Sequence, residues 1–308
     1  MGNVRPTTGR GHRASAGTAL ALLLCLTACG TDAPAVAPAP TPRTSPSAAP
    51  TSSPTSPPPR TSASPRPTDR PVIGATPPSW LGKRALPRTA DGFGTIEPTP
   101  PELVRRRFTL PDTLPPLPGT GFASRVTTPA PADVIARSTW KPGCPVAATD
   151  LSWVRLTFVG FDGKRHTGEL LVNKSVADDL VSVFRQLYAA QFPIEEMRIT
   201  RADELDAPPT GDGNDTGAFN CRPTVGATSY SQHAYGLAID VNPFQNPYTK
   251  GDLVLPELAS SYLRRGWVRP GMIEPDGPVV RAFDSIGWTW GGTWHSLKDL
   301  QHFSRNGT

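Results

Sequence analysis

The chain lacks long apolar runs, and in 308 residues it has only four cysteines and 19% charged side chains. Spanning a bilayer as a helix takes roughly 20 apolar residues. The longest apolar run, Ala19–Leu26, falls well short. No internal repeat appears. Basic excess is also missing where it would matter. The net charge is +5, but residues 1–88 carry ten Lys and Arg against Asp32 and Asp69 alone. The rest of the chain holds 21 basic and 24 acidic side chains and is slightly acidic. That balance excludes nucleic acid as an expected partner.

Proline is abundant, with 38 residues, 12 of them between positions 31 and 70 amid Thr, Ser and Ala. Such a stretch cannot bury enough apolar surface to offset the entropy of ordering it. One globular unit behind a disordered leader is therefore expected. Arg5, Arg10 and Arg13 precede the apolar Ala19–Leu26, the layout of an export signal. Leu26-Thr27-Ala28-Cys29 resembles a bacterial lipoprotein lipobox. The resemblance implies a signal peptide over 1–29, with lipidation at Cys29 and a membrane anchor on the outer face of the cytoplasmic membrane. Residues 30–88 read as a disordered tether. At about 3.1 Å per residue, a polyproline-like chain of this length reaches on the order of 150 Å, into a cell-wall matrix. Residues 89–135 read as an extended, loop-rich lead-in, and 136–308 as the folded domain. Cys144 and Cys221 are the two cysteines of that domain, and in an exported protein they are expected to pair as a disulfide.

The domain reads as α+β, with antiparallel strands and flanking helices. Trp153–Phe161 and Glu169–Asn173 flank Asp162-Gly163-Lys164-Arg165, a hairpin signal. Ser175 is placed as an N-cap, and Leu180, Val183, Phe184, Leu187 and Tyr188 follow at helical spacing. Met197–Thr200 suggests a short strand, and residues 206–217 a polar loop. Residues 236–241 form a strand with Ala238 and Asp240 on one face. A loop from Pro243 leads to a helix near Val279–Ile286 and then to two short strands. Strands and helices without βα repeats favour α+β over a doubly wound sheet.

Chemistry concentrates in the last 80 residues. Ser231-Gln232-His233-Ala234-Tyr235-Gly236 leads to Asp240, Trp288–Trp294 is an aromatic and glycine cluster, and Asp299 and His302 follow. Two imidazoles and a carboxylate with one position open compose a catalytic zinc site. A spare acid beside it suits hydrolysis, where a carboxylate takes the proton of the attacking water. Asp299 and His302 are three apart, so an ideal strand would put them on opposite faces. They converge only across a bend, bulge or turn.

The pattern Ser231-x-His233-x-x-Gly236-x-Ala238-x-Asp240, with Asp299-x-x-His302, resembles the M15 zinc peptidases. That family includes D-alanyl-D-alanine carboxypeptidases and L-alanyl-D-glutamate endopeptidases. Ala218–Arg222, Ala238–Pro243 and Trp290-Gly291-Gly292-x-Trp294 extend the likeness, which runs from about Ala136 to Ser304. The resemblance implies Zn2+ held by His233, Asp240 and His302, and Asp299 as the catalytic base. It also implies an arginine for substrate or oxyanion, Arg222 with Arg201 as the alternative. Ser231, Trp290, Gly291 and Trp294 are candidates for binding substrate, with turn-capping the competing role for Ser231 and core packing that for the tryptophans. Peptidoglycan stem peptides are the implied substrate, and a monomer is expected. Ser138-Thr139-Trp140-Lys141 matches the first motif of the serine enzymes that cut D-Ala-D-Ala. Pro142 would disturb the helix that motif needs, and no Lys-Thr-Gly occurs. An Fe(II) oxygenase has no use for the spare acid. A non-catalytic wall-binding module is expected to lose a ligand or the acid, and here all four residues are present.

Overall fold

A computed structural model of the chain describes residues 73–224 and 228–308. The expected signal peptide, Cys29 and most of the tether, through residue 72, lie outside the described residues.

In chain order the elements are β1 (Ser124–Thr127), α1 (Ala132–Arg137), β2 (Leu151–Gly160), β3 (Arg165–Asn173), α2 (Ala177–Ala189), β4 (Pro193–Ile194), β5 (Glu196–Met197) and β6 (Asp215–Thr216). There follow β7 (Ala238–Asp240), β8 (Tyr248–Lys250), β9 (Leu253–Leu255), α3 (Pro278–Asp284), β10 (Thr289–Trp290), β11 (Lys298–Asp299) and β12 (His302–Ser304). The architecture is α+β.

The frame is the β2–β3 hairpin, turned at Gly163 in the left-handed region (φ 73°). β1 pairs antiparallel with β2 on its other side, and β4 pairs parallel with its end. Both faces of the hairpin are covered, as strand alternation requires of a two-sided core. Val154, Leu156, Phe158, Leu170 and Val172 face α2, whose Leu180, Val183, Phe184 and Leu187 form one buried stripe. Leu151, Trp153 and Leu171 face a second cluster with Val134, Phe219 and Cys221. There Cys144 and Cys221 are joined by a disulfide with Cα atoms 5.9 Å apart.

Several expectations shift. Asn173, not Ser175, supplies the capping oxygen at the start of the helical segment, accepting from the Ser175 N–H, because a short 3-10 turn precedes α2. The loop over 206–217 ends in a strand, β6, and holds buried Asp212 and Asn214. Three short strands follow α3 rather than two. The tether expected to run to residue 88 gives way to packed chain earlier. Leu86 is 5% exposed, beside Leu103, Phe108, Phe244 and Tyr262, and its N–H donates to the Pro209 carbonyl. No helix among the described residues is long and apolar enough to cross a membrane.

Candidate functional site

Two small sheets meet at the site. β7 and β12 pair antiparallel with His302 opposite Asp240, so the two side chains share a face. β11 belongs to another sheet, pairing with β8 so that Asp299 lies opposite Tyr248. The break at Leu300–Gln301 is what brings Asp299 and His302 together. The chain leaves one sheet and enters the next, and strict alternation does not apply across the gap.

His233 sits in a 3-10 turn, Gln232–Tyr235, whose N-cap is Ser231. The Ser231 hydroxyl accepts from the His233 N–H at 3.3 Å, the turn-capping role. Gly236 closes the turn at φ 68°, and a Cβ there would stand 2.5 Å from the Asn173 amide nitrogen. Only glycine lets the turn lie against β3. His233 Nδ1 lies 2.5 Å from the Ala218 carbonyl, which can only accept, so Nδ1 carries the proton and Nε2 is free to ligate.

His233 Nε2 is 3.1 Å from His302 Nδ1 and 3.3 Å from Asp240 Oδ2, and His302 Nδ1 is 3.1 Å from Asp240 Oδ1. Ligands about 2.0–2.1 Å from a tetrahedral zinc lie roughly 3.3 Å from one another, so the donor set fits the ion. Both imidazoles are buried. Burial alone would raise the Asp240 carboxyl, but the facing imidazoles, His233 first, hold it well below its ordinary value. His302 is raised: burial opposes its charge, and the hydrogen bond and charge of Asp240 outweigh that. Asp299 is pushed up to about 7, by burial first and the Asp240 charge second. Its Oδ1 is buried with no hydrogen-bond partner in the protein, an orphaned acceptor beside the cluster.

A cavity of about 680 Å³ opens onto the cluster, lined by Ser231, Asp299 and Trp294 among others, with the cations Arg222 and Lys250. A second, of about 270 Å³, shares Arg222, His233 and Asp240 with the first. Arg201 lines neither; its side chain is 63% exposed and holds Asp203. Trp290 and Gly291 lie behind the site rather than in its wall, which corrects their expected part in binding substrate. Trp290 is 5% exposed, stacks near Phe303, and donates its indole N–H to the Leu300 carbonyl. Gly291 is needed for close approach, since a Cβ there would stand 2.6 Å from the Asp299 main-chain oxygen. His295 is exposed and lines neither cavity. Tyr248, Lys250 and Gln301 in the wall escaped the sequence reading. The first two lie on a three-residue strand inside a stretch read as loop, and only its pairing with β11 points to them.

A family model described as D-alanyl-D-alanine carboxypeptidase matches residues 225–305. That stretch holds His233, Asp240, Asp299 and His302 and begins after Arg222. No curated protein and no solved structure matches the chain. M15 peptidases are generally zinc-dependent, and the match supports a hydrolase of the peptidoglycan-related metallopeptidases. The match over residues 225–305 supports an M15-family peptidase.

Proposed function

We propose that the chain is a zinc peptidase that trims peptidoglycan stem peptides as a D-alanyl-D-alanine carboxypeptidase. The observation that carries this reading is the mutual spacing of His233, Asp240 and His302, with the partnerless Asp299 oxygen beside them, inside the matched segment. His233 and His302 would hold the ion through Nε2 and Nδ1, with Asp240 as the third ligand. Zinc, when bound, would supply a Lewis acid and lower the pKa of water toward neutrality. Asp299 takes a proton from the water that adds to the scissile carbonyl carbon. It returns that proton to the nitrogen as the C–N bond breaks. Arg222 lines the same cavity, and in this reading it stabilises negative charge on the carbonyl oxygen.

Two cations in one cavity, Arg222 and Lys250, suit the free carboxylate of a terminal D-Ala. The second cavity, which touches the same His233 and Asp240, favours another reading. Space on both sides of the cluster admits a cut inside the stem, as an L-alanyl-D-glutamate-type endopeptidase makes. A lipid at Cys29 and the Pro-rich tether would hold the enzyme outside the membrane and give it reach into the wall.

Defined muropeptides incubated with zinc-loaded protein and read by mass spectrometry test both. The expected product has lost one terminal alanine, and Asp299→Ala or a chelator abolishes it. Release of an internal fragment replaces the carboxypeptidase with the endopeptidase. No cleavage by folded, zinc-loaded protein sinks both and revives a wall-binding role.

A further inference from the structure

We infer that Asn306–Thr308 belong to the metal site as positioning residues: the Thr308 main-chain oxygen accepts from His302 Nε2–H and so turns Nδ1 toward the ion. This rests on the zinc reading above and deepens it. His302 Nε2 lies 3.3 Å from that oxygen. A main-chain oxygen cannot donate, so Nε2 carries a proton; when the ion is bound, Nδ1 gives up the proton it shares with Asp240 and directs its lone pair at the metal. His233 is set in the same manner from the other side, by the Ala218 carbonyl. Each imidazole thus has a main-chain oxygen behind it, the support that metal-bound histidines require to fix tautomer and ring orientation.

The last residues are themselves held in place. Trp294 Nε1 donates to the Gly307 carbonyl at 3.0 Å, and its ring centroid lies 5.4 Å from that of His302. The Thr308 N–H and hydroxyl both donate to Asn306 Oδ1, at 3.1 and 3.0 Å. Gly307 has φ 77°, and a Cβ there would stand 3.2 Å from Thr289 Oγ1. A left-handed residue at this point bends the chain back toward the imidazole. Nothing in the metal-binding motif itself marks these residues, since none of their side chains faces the ligand cluster as a donor.

The test compares the full chain with a chain ending at Arg305 and with Trp294→Phe, which removes the indole donor and keeps an aromatic ring. Zinc affinity is read by competition with a chromophoric chelator, and the hydrogen bond of His302 Nε2–H in zinc-loaded protein by ¹⁵N NMR. The melting temperature in chelator monitors folding. Shortening is expected to weaken zinc about 10–100-fold, the usual penalty for losing such a support, with Trp294→Phe in between. The His302 Nε2–H resonance should shift and exchange faster with water once its main-chain acceptor is lost. Zinc binding within twofold of the full chain in both variants, with that Nε2–H resonance unchanged, overturns the inference. If the shortened chain does not fold, Trp294→Phe and the His302 signature in the full chain decide. A full chain that binds no zinc fails at the earlier step, and the zinc reading falls with it.

Discussion

Asp299 carries the sharpest prediction at the scale of one residue. In the folded, metal-free protein its carboxyl is raised to about 7 from an ordinary 3.8, by burial and then by Asp240. A raised folded pKa means the native state binds the proton more tightly than the unfolded chain. The stabilisation is therefore full below about pH 4 and is lost as pH climbs through 7. His302, also raised, contributes with the same sign. The melting temperature in chelator should fall by several degrees between pH 5 and pH 8, and fall less in Asp299→Asn, as differential scanning calorimetry would measure. A pH-independent melting temperature contradicts the burial argument. Catalysis runs the other way, because a base must be ionised. A cation on Asp240 removes much of the repulsion that raises Asp299, so kcat/KM should climb with pH through a limb below 7. Asp299→Ala should lower kcat by about 10²–10⁴-fold, the range of a lost general base, while zinc affinity measured by competition changes little.

At the scale of elements, the Gly-Gly phrase has a structural task. Gly291 sits where β11 passes, with the Asp299 Cβ 2.9 Å from where its own Cβ would be. Gly291→Ala should push β11 outward and displace Asp299 without touching His233, Asp240 or His302. The expected result is kcat reduced by at least tenfold with zinc affinity retained; equal loss of both would mean that the whole site had collapsed. Elements of this region also show where sequence reading stops. The hairpin is legible from its Asp162-Gly163 turn between two strand-like runs, and α2 from a consistent period of 3.6. β8, β11 and β12 have two or three residues each, too few for a period, and the pairing of β8 with β11 joins residues distant in sequence. The motif singles out His233, Asp240, Asp299 and His302. It does not reach Tyr248 and Lys250, since their place in the wall depends on the pairing of β8 with β11. Trp290 and Gly291 were misplaced for a related reason: composition marks an aromatic and glycine cluster but cannot tell the front of a wall from its back.

At the scale of the molecule, the segment before β1 is part of the fold rather than a lead-in, and one ion pair binds it there. Arg106, 2% exposed, donates Nε and Nη2 to the two oxygens of Glu195, itself fully buried just before β5, at 2.7 and 2.5 Å. Its remaining Nη1 donates to the Asp212 carbonyl, Asn214 donates to Glu195, and the guanidinium lies over Phe108 and Phe244. Burial still raises the Glu195 carboxyl, although Arg106 works against it. Nothing periodic announces residues 73–110, so the sequence shows a Pro-rich approach where the structure shows Leu86, Leu103 and Phe108 closing a core. Removing one partner of a buried pair strands a charge, at a cost of about 3–5 kcal/mol, whereas removing both charges costs far less. Arg106→Met should therefore destabilise strongly in urea unfolding. Combining it with Glu195→Gln should recover much of that loss, because the introduced amide oxygen can still accept from Asn214. Strictly additive losses would mean that the pair is not coupled. The same logic sets the smallest fragment that folds. One beginning at residue 73 keeps Arg106 and the three core side chains, whereas one beginning at 112 leaves Glu195 charged and unanswered inside the protein and should be recovered unfolded or aggregated, whatever its zinc content.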